Sequence, residues 1–368
     1  MLDPNVLRPD HLRMSATDER EPVNCSVSEA FDQWLGLSGG SIALTTYQAG
    51  RVGLIGHDGK RVVPLLREFP IPMGMVAQQN VLALATEREV TIFANASPLA
   101  SQYPGAPPGT YDALYLPRLS YFTGDLRVHD IAFGRDRIWI VNTLLSCLAT
   151  LSFEESFELR WKPPFISSLA PEDRCHLNGM AMIDGEPRYV TALGATDTAG
   201  GWRANKVSGG ILMDVKTSET ILTGLSMPHS PRWYDNRLWF LNSGSGELCV
   251  VDLQQRRCTP VAVLPGFLRG LCFAGPFALI GLSQIRQSNV FGGLAVKERF
   301  ERLLCGVAIV DLRSGQQVGM LDFTSGLHEL FEVQFLPGTK RPMIVAADSE
   351  EARRAIASRA VSYWLKGV

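Results

Sequence analysis

The sequence predicts an all-β fold, a β-propeller of six four-stranded antiparallel blades. Three features predict it: a hairpin pattern that recurs along the chain, one unit that shows all four strands, and an N-terminal stretch that reads as a blade lacking its first strand. Recurrence at this spacing is the signature of a repeat architecture.

Four segments share the pattern: HDIAFGRDRIWIVNT from His129, HLNGMAMIDGEPRYVTALG from His176, HSPRWYDNRLWFLNSG from His229 and RGLCFAGPFALIGLS from Arg269. Each has a polar residue, a short apolar strand, a tight turn (GRD, DGE, YDN, AGP) and a second apolar strand, which is the grammar of a hairpin. The unit from His229 continues through LCVVDL, a QQRR turn and CTPVAVLPG. That makes four strands in about 40–50 residues, the size of one blade. The same unit begins near Met73 (IPMGMVAQQNVLALATEREVTIFA) and near Glu329 (ELFEVQFLPGTKRPMIVAAD), so unit starts at 73, 129, 176, 229, 269 and 329 give six blades. SIALTTYQ, RVGLIG and RVVPLLREF supply outer strands that the Glu329 segment completes, closing the ring through the two chain ends. RPMIVAAD reads as a repeat of one of those strands and leaves a seventh, irregular blade as the alternative count.

Outside the repeats, residues 1–27 read as a polar, flexible lead-in to a propeller at 28–350, and residues 351–368 as a helical tail by their Ala/Arg/Glu composition. Residues 97–125, rich in Pro, Gly and Tyr, are expected to form a long surface loop, and 284–305 a partly helical excursion within the Arg269 unit. Long loops on a rigid scaffold are common carriers of binding groups.

Composition narrows the function. A formal net charge of −2 offers no basic field for a phosphate backbone, which argues against nucleic acid as a partner. No apolar run reaches the roughly 18–20 residues of a membrane helix, and the first 25 residues lack a signal-peptide core. The seven cysteines are odd in number and scattered, with no CxxC pair, as expected for reduced thiols in a cytoplasmic protein. The absence of a Walker loop or dinucleotide fingerprint argues against a nucleotide cofactor. Gly36-Leu37-Ser38-Gly39-Gly40 fits G-x-S-x-G, but a nucleophile elbow needs a helix after it and a strand-like SIALTTYQ follows. His328-Glu329-Leu330-Phe331-Glu332 lacks the second histidine of H-E-x-x-H.

In a blade the innermost strand starts on the face where the second strand ends, so residues at those two places ring one mouth of the central channel. His129, His176 and His229 hold the first position in three consecutive units. Asn142 and Asn242 end two second strands at the same 13-residue offset from their histidines. Trp202 and Arg203 follow in the intervening unit, Arg269 and Arg286 in the next, and Glu329 and Glu332 in the last. Three neutral imidazoles and an open position suit Zn, Fe, Cu or Ni, with Asp130 and Asn178 as neighbours able to orient the ligands. Arginines such as Arg203, Arg232, Arg269 and Arg286 suit a carboxylate or phosphate, or serve as rim salt bridges.

The runs LAPEDRCHLNGMAM, RYVTALGATDTAGGWR, GLSMPHSPRWYDNRLWFLNSGSGEL and LPGFLRGL resemble a bacterial family of conserved proteins of unknown function, from about Ser28 to Asp348. That resemblance implies no substrate. In outline the histidine arrangement is similar to peptide-amidating lyases, and the His229 unit to lactonase-type propellers, although the latter hold calcium through Glu, Asn and Asp. The expectation is a metal-dependent lyase, hydrolase or isomerase acting on a small polar or peptide-derived molecule. His129, His176 and His229 would hold the metal, Arg203 and Arg269 an anionic group, and Glu329 or Glu332 would act as base. Asn142, Asn242, Trp202, Arg232 and Arg286 complete the expected substrate contacts. The rival is a non-catalytic propeller that grips a peptide, using Tyr103, Tyr111, Tyr115 and Tyr121 on its loops. Neither reading fixes the oligomeric state.

Overall fold

A computed structural model describes residues 21–285 and 292–366. Six antiparallel sheets of four blade strands stand in a ring, with the innermost strand of each facing the axis. Blade 1 joins the two ends of the chain. Its innermost strand is Glu332–Pro337, followed outward by Gly40–Thr46, Arg51–His57 and Val62–Glu68. Blade 2 runs Met75–Gln78, Val81–Ala85, Glu89–Asn95 and Ala113–Phe122. Blade 3 runs Val128–Phe133, Ile138–Asn142, Cys147–Thr150 and Glu158–Trp161. Blade 4 is Leu177–Ile183, Glu186–Ala192, Gly210–Asp214 and Thr220–Leu225. Blade 5 is Pro228–Tyr234, Arg237–Asn242, Glu247–Asp252 and Arg257–Val263. Blade 6 is Phe267–Ala274, Phe277–Ser283, Gly306–Asp311 and Gln317–Ser325.

Strand alternation builds the core. Because successive side chains leave opposite faces of a strand, each blade feeds two apolar layers. Ile42 and Leu44 face blade 6, whereas Ala43 between them faces blade 2. Leu82 and Leu84 face blade 1, and Ala83 and Ala85 face blade 3. Trp139 and Val141 face blade 4, and Ile140 faces blade 2. The remaining layers lie between blades 4 and 5 and between blades 5 and 6.

Hydroxyls at the ends of second strands staple neighbouring blades. Thr45 donates to the Met73 carbonyl at 2.7 Å, Thr143 to Leu177 at 2.5 Å, Ser243 to Leu268 at 2.6 Å and Ser283 to Leu330 at 3.1 Å. Between blades 4 and 5, Asn178 does the same work, donating to the Pro228 carbonyl at 2.9 Å while accepting from Thr191.

The structure corrects four expectations. RPMIVAAD forms no seventh blade: Pro342–Ile344 adds parallel to Ala113–Phe122 on the outside of blade 2. That same strand occupies much of the segment expected to be a loop, with a short helix, Ser97–Ala100, before it. The tail is helical only over Glu350–Arg354. It then turns into a hairpin, Ala355–Ala357 with Ser362–Trp364, which lets Trp364 pack on Tyr103. The lead-in ends in a strand, Asn24–Val27, paired to the edge of blade 6; residues 1–20 lie outside the described residues. The G-x-S-x-G run closes a helix, Glu29–Leu37, and a strand follows it, as its rejection required.

Candidate functional site

The channel is plugged midway by an ion network. Arg232, on the innermost strand of blade 5, donates to Asp130 at 2.7 Å and to Glu332 at 3.1 Å. Its guanidinium also reaches the carbonyls of Met180 and Leu271. Asp130 accepts from the Met180 amide as well. One arginine thereby ties together blades 1, 3, 4, 5 and 6. Burial raises the Glu332 carboxyl to about 7 despite Arg232 beside it. Arg232 and Glu332, expected at the substrate, belong instead to this hub. Asp130 points into it too, and the Asn178 side chain bonds the Pro228 carbonyl and Thr191.

His129, His176 and His229 lie at the starts of the innermost strands of blades 3, 4 and 5. His129 and His229 each sit second in their innermost strands, and their surroundings are alike. The residue two positions earlier has a left-handed backbone (Arg127 φ 52°, Met227 φ 48°). Its carbonyl thereby turns back to accept from the histidine Nδ1, at 2.9 Å in both cases. A carbonyl only accepts, so Nδ1 carries the proton and the neutral ring takes up any further proton at Nε2. His176 lies one residue ahead of its strand, with φ 50°. Its Nδ1 meets the carboxylate of Asp173 at 2.9 Å. The three positions are therefore not strictly equivalent.

The rings form two groups, one around His129 and His176 and one at His229. His129 meets His176 edge to face at 4.8 Å between centroids, and Phe331 at 5.1 Å. His176 packs on Trp202 at 4.6 Å, and His229 on Phe267 at 5.5 Å. The Arg269 guanidinium lies 3.8 Å from the centre of the Phe331 ring. A bulge at Gly270, between Arg269 and Leu271, sets this register. Gly270 has φ 75°, and a side chain there would run into the backbone of Glu332 and Val333. Bulges commonly re-aim side chains beside functional sites.

Burial governs the electrostatics. It drives His129 and His229 well below the ordinary histidine range, and Arg269 pushes both in the same direction. Asp173 is raised to about 6, again mainly by burial, although His129, Arg203 and Arg127 oppose the rise. Asp173 also accepts from the Trp202 indole at 3.2 Å and stands 3.7 Å from Arg203. It is the polar partner of the histidines that sequence reasoning missed. The available signal was the D-x-x-H spacing in EDRCH.

Other expected residues take structural roles. Asn142 is fully buried, and its side-chain oxygen accepts from the Leu145 amide. Asn242 accepts from the Ser226 amide and donates to Glu247. Glu329 holds the Thr46 hydroxyl and the Gln48 amide with one oxygen. Trp202 and Arg203 support the Asp173–His176 pair, with Arg203 stacked 4.5 Å over the indole. Arg286 lies outside the described residues. The imidazoles suit a late transition ion by chemistry, yet among the described residues no three His, Cys, Asp or Glu side chains are placed to hold one ion together.

A ring of six four-stranded blades with its polar cluster at one channel mouth defines a six-bladed β-propeller with a candidate small-molecule site. The chain belongs to a family described as a domain of unknown function (DUF4915), which it matches over residues 29–345. No curated protein matches it. Among solved structures, a chain of a nidogen/laminin complex aligns with a TM-score of 0.51 at 10% identity, covering 82% of this chain and 99% of that one. Virginiamycin B lyase from Staphylococcus aureus aligns at 12% identity and a TM-score of 0.39, over 85% of this chain and 98% of the lyase. A catalytically inactive form of that lyase with Quinupristin aligns at 10% identity and 0.40, over 84% and 98%. Identities this low speak to the fold alone. No helix among the described residues is long and apolar enough to cross a membrane.

Proposed function

We propose that the histidine mouth is an active site for general acid–base chemistry of the lyase, hydrolase or isomerase type, acting on a small polar or peptide-derived molecule in the cytoplasm. The observation that carries this reading is the pair of buried Asp173 and half-buried His176, packed against the neutral ring of His129. A carboxylate on Nδ1 orients an imidazole and stabilises the imidazolium formed when Nε2 takes a proton. His129, kept neutral by burial, is poised to accept a proton at neutral pH rather than to begin protonated. Phe267, Phe331 and Trp202 form an apolar rim that limits water around the transfer.

The test is incubation in D2O with panels of small esters, lactones, hydroxy acids and peptides, followed by NMR for turnover or deuterium incorporation. The expected result is conversion of at least one compound, reduced about 10²–10⁴-fold by His176→Gln and by Asp173→Asn. A compound that binds the mouth but is recovered unchanged and without deuterium would overturn the catalytic reading in favour of a binding propeller. The loop tyrosines offer that rival little support. Tyr115 is buried, and Tyr103 and Tyr111 pack against each other, with Tyr103 also under Trp364.

A further inference from the structure

Arg269 is half-buried and lacks a direct carboxylate partner among the described residues. Loss of solvent lowers its pKa from the ordinary arginine value, and Tyr47, Glu329 and Glu332 oppose that only through space. Among the described residues its guanidinium has no hydrogen bond and no salt bridge; its close contact is the face of Phe331. The charged groups nearest it are otherwise engaged. Glu329 holds Thr46 and Gln48, and Glu332 is bound to Arg232 and to the Val333 amide. Tyr47 faces it as well and accepts from the Gln48 side chain. An arginine has five donors in a fixed planar fork, and donors left unmatched where water is scarce favour a ligand that pairs them. The other arginines here are unlike it: Arg203 stands against Asp173, and Arg232 against Asp130 and Glu332.

We propose that Arg269 is the anchor of an anion subsite that takes the carboxylate of a small monoanionic molecule, seated between the guanidinium and the imidazole of His129 across Phe331. The planar fork matches a carboxylate's two oxygens. One guanidinium without a hydrogen-bonded carboxylate matches one negative charge, and Glu329 and Glu332 nearby disfavour a second, which favours a monocarboxylate over a phosphate dianion. His129 shares Phe331 with Arg269, so the group bearing the carboxylate is brought beside the imidazole cluster. This inference rests on the mouth being the functional site, and it names the substrate class of that site.

The test measures binding and does not depend on turnover. Acetate and inorganic phosphate are titrated separately into the full chain at neutral pH, with calorimetry and the histidine ring NMR signals as readouts. Acetate is expected to saturate and to shift the His129 resonances, and Arg269→Met to weaken its binding by about tenfold or more. Arg269→Met is also expected to keep the melting temperature, since it breaks no side-chain hydrogen bond or salt bridge among the described residues. An arginine with a purely structural role would instead lose stability on replacement. Acetate binding that is absent, or equal in Arg269→Met, overturns the subsite. Tighter Arg269-dependent binding of phosphate than of acetate overturns the monocarboxylate assignment. Acetate binding together with no exchange or turnover of any ester, lactone, hydroxy acid or peptide of the panel sinks the acid–base reading while leaving this subsite standing.

Discussion

His129 and His229 carry the clearest pH signature at the scale of single residues. Their folded pKa values lie well below the ordinary value of 6.5. The unfolded chain therefore binds more protons below that value, and stability falls as pH drops through it. Each imidazole contributes about 1.4 kcal/mol per pH unit below 6.5 while it stays neutral in the fold. Asp173 and Glu332 act oppositely, because raised folded values of about 6 and 7 make their contributions fall as pH rises toward neutrality. Thermal melts between pH 5 and 7 are expected to show a shallower acid-side loss in His229→Gln than in the unmodified protein. An unchanged slope would mean that His229 titrates alike in both states.

The hub and the hydroxyl staples set the energetics of single elements. Arg232→Ala leaves Asp130 and Glu332 buried without their cation, and breaking such a pair costs about 3–5 kcal/mol. Glu332→Gln is expected to cost much less, since burial already brings that carboxyl close to neutral at pH 7. Chemical denaturation of both variants checks the ordering. Replacing a staple, as in Ser243→Ala or Thr143→Val, is expected to cost about 1 kcal/mol each. Blade 5 illustrates how a sequence reading succeeds and fails within one element. Its four strands were legible from alternation and turns, but the bulge between His229 and Arg232 was not. That bulge separates a histidine at the mouth from an arginine at the hub, three residues later on the same strand.

For the whole molecule, closure through blade 1 predicts how the chain tolerates truncation. Ending it before Glu332 removes the innermost strand that pairs with Gly40–Thr46, along with its contribution to the hub. That variant is expected to lose the cooperative transition seen by circular dichroism. Ending it after Asp348 removes only the short helix and hairpin that cover Tyr103. The six blades are expected to survive that deletion with a modest drop in melting temperature, and a full loss of folding would show that the tail is integral to the ring.

Taken on its own, the chain determined the blade count, the closure by its two ends and the face on which polar residues gather. Each of these follows from local alternation, turn chemistry and the position of a residue within its hairpin, which are properties of neighbouring residues. Which polar residues meet was decided only by the tertiary structure. Asp130, Arg232 and Glu332 come from three blades, and their pairing depends on how strand bulges rotate side chains about the axis. Asp173 became legible only when the turn before blade 4 brought it against His176 and under Trp202. Arg269 differs from the other arginines by what surrounds it, and that is a matter of non-local packing which no stretch of sequence contains.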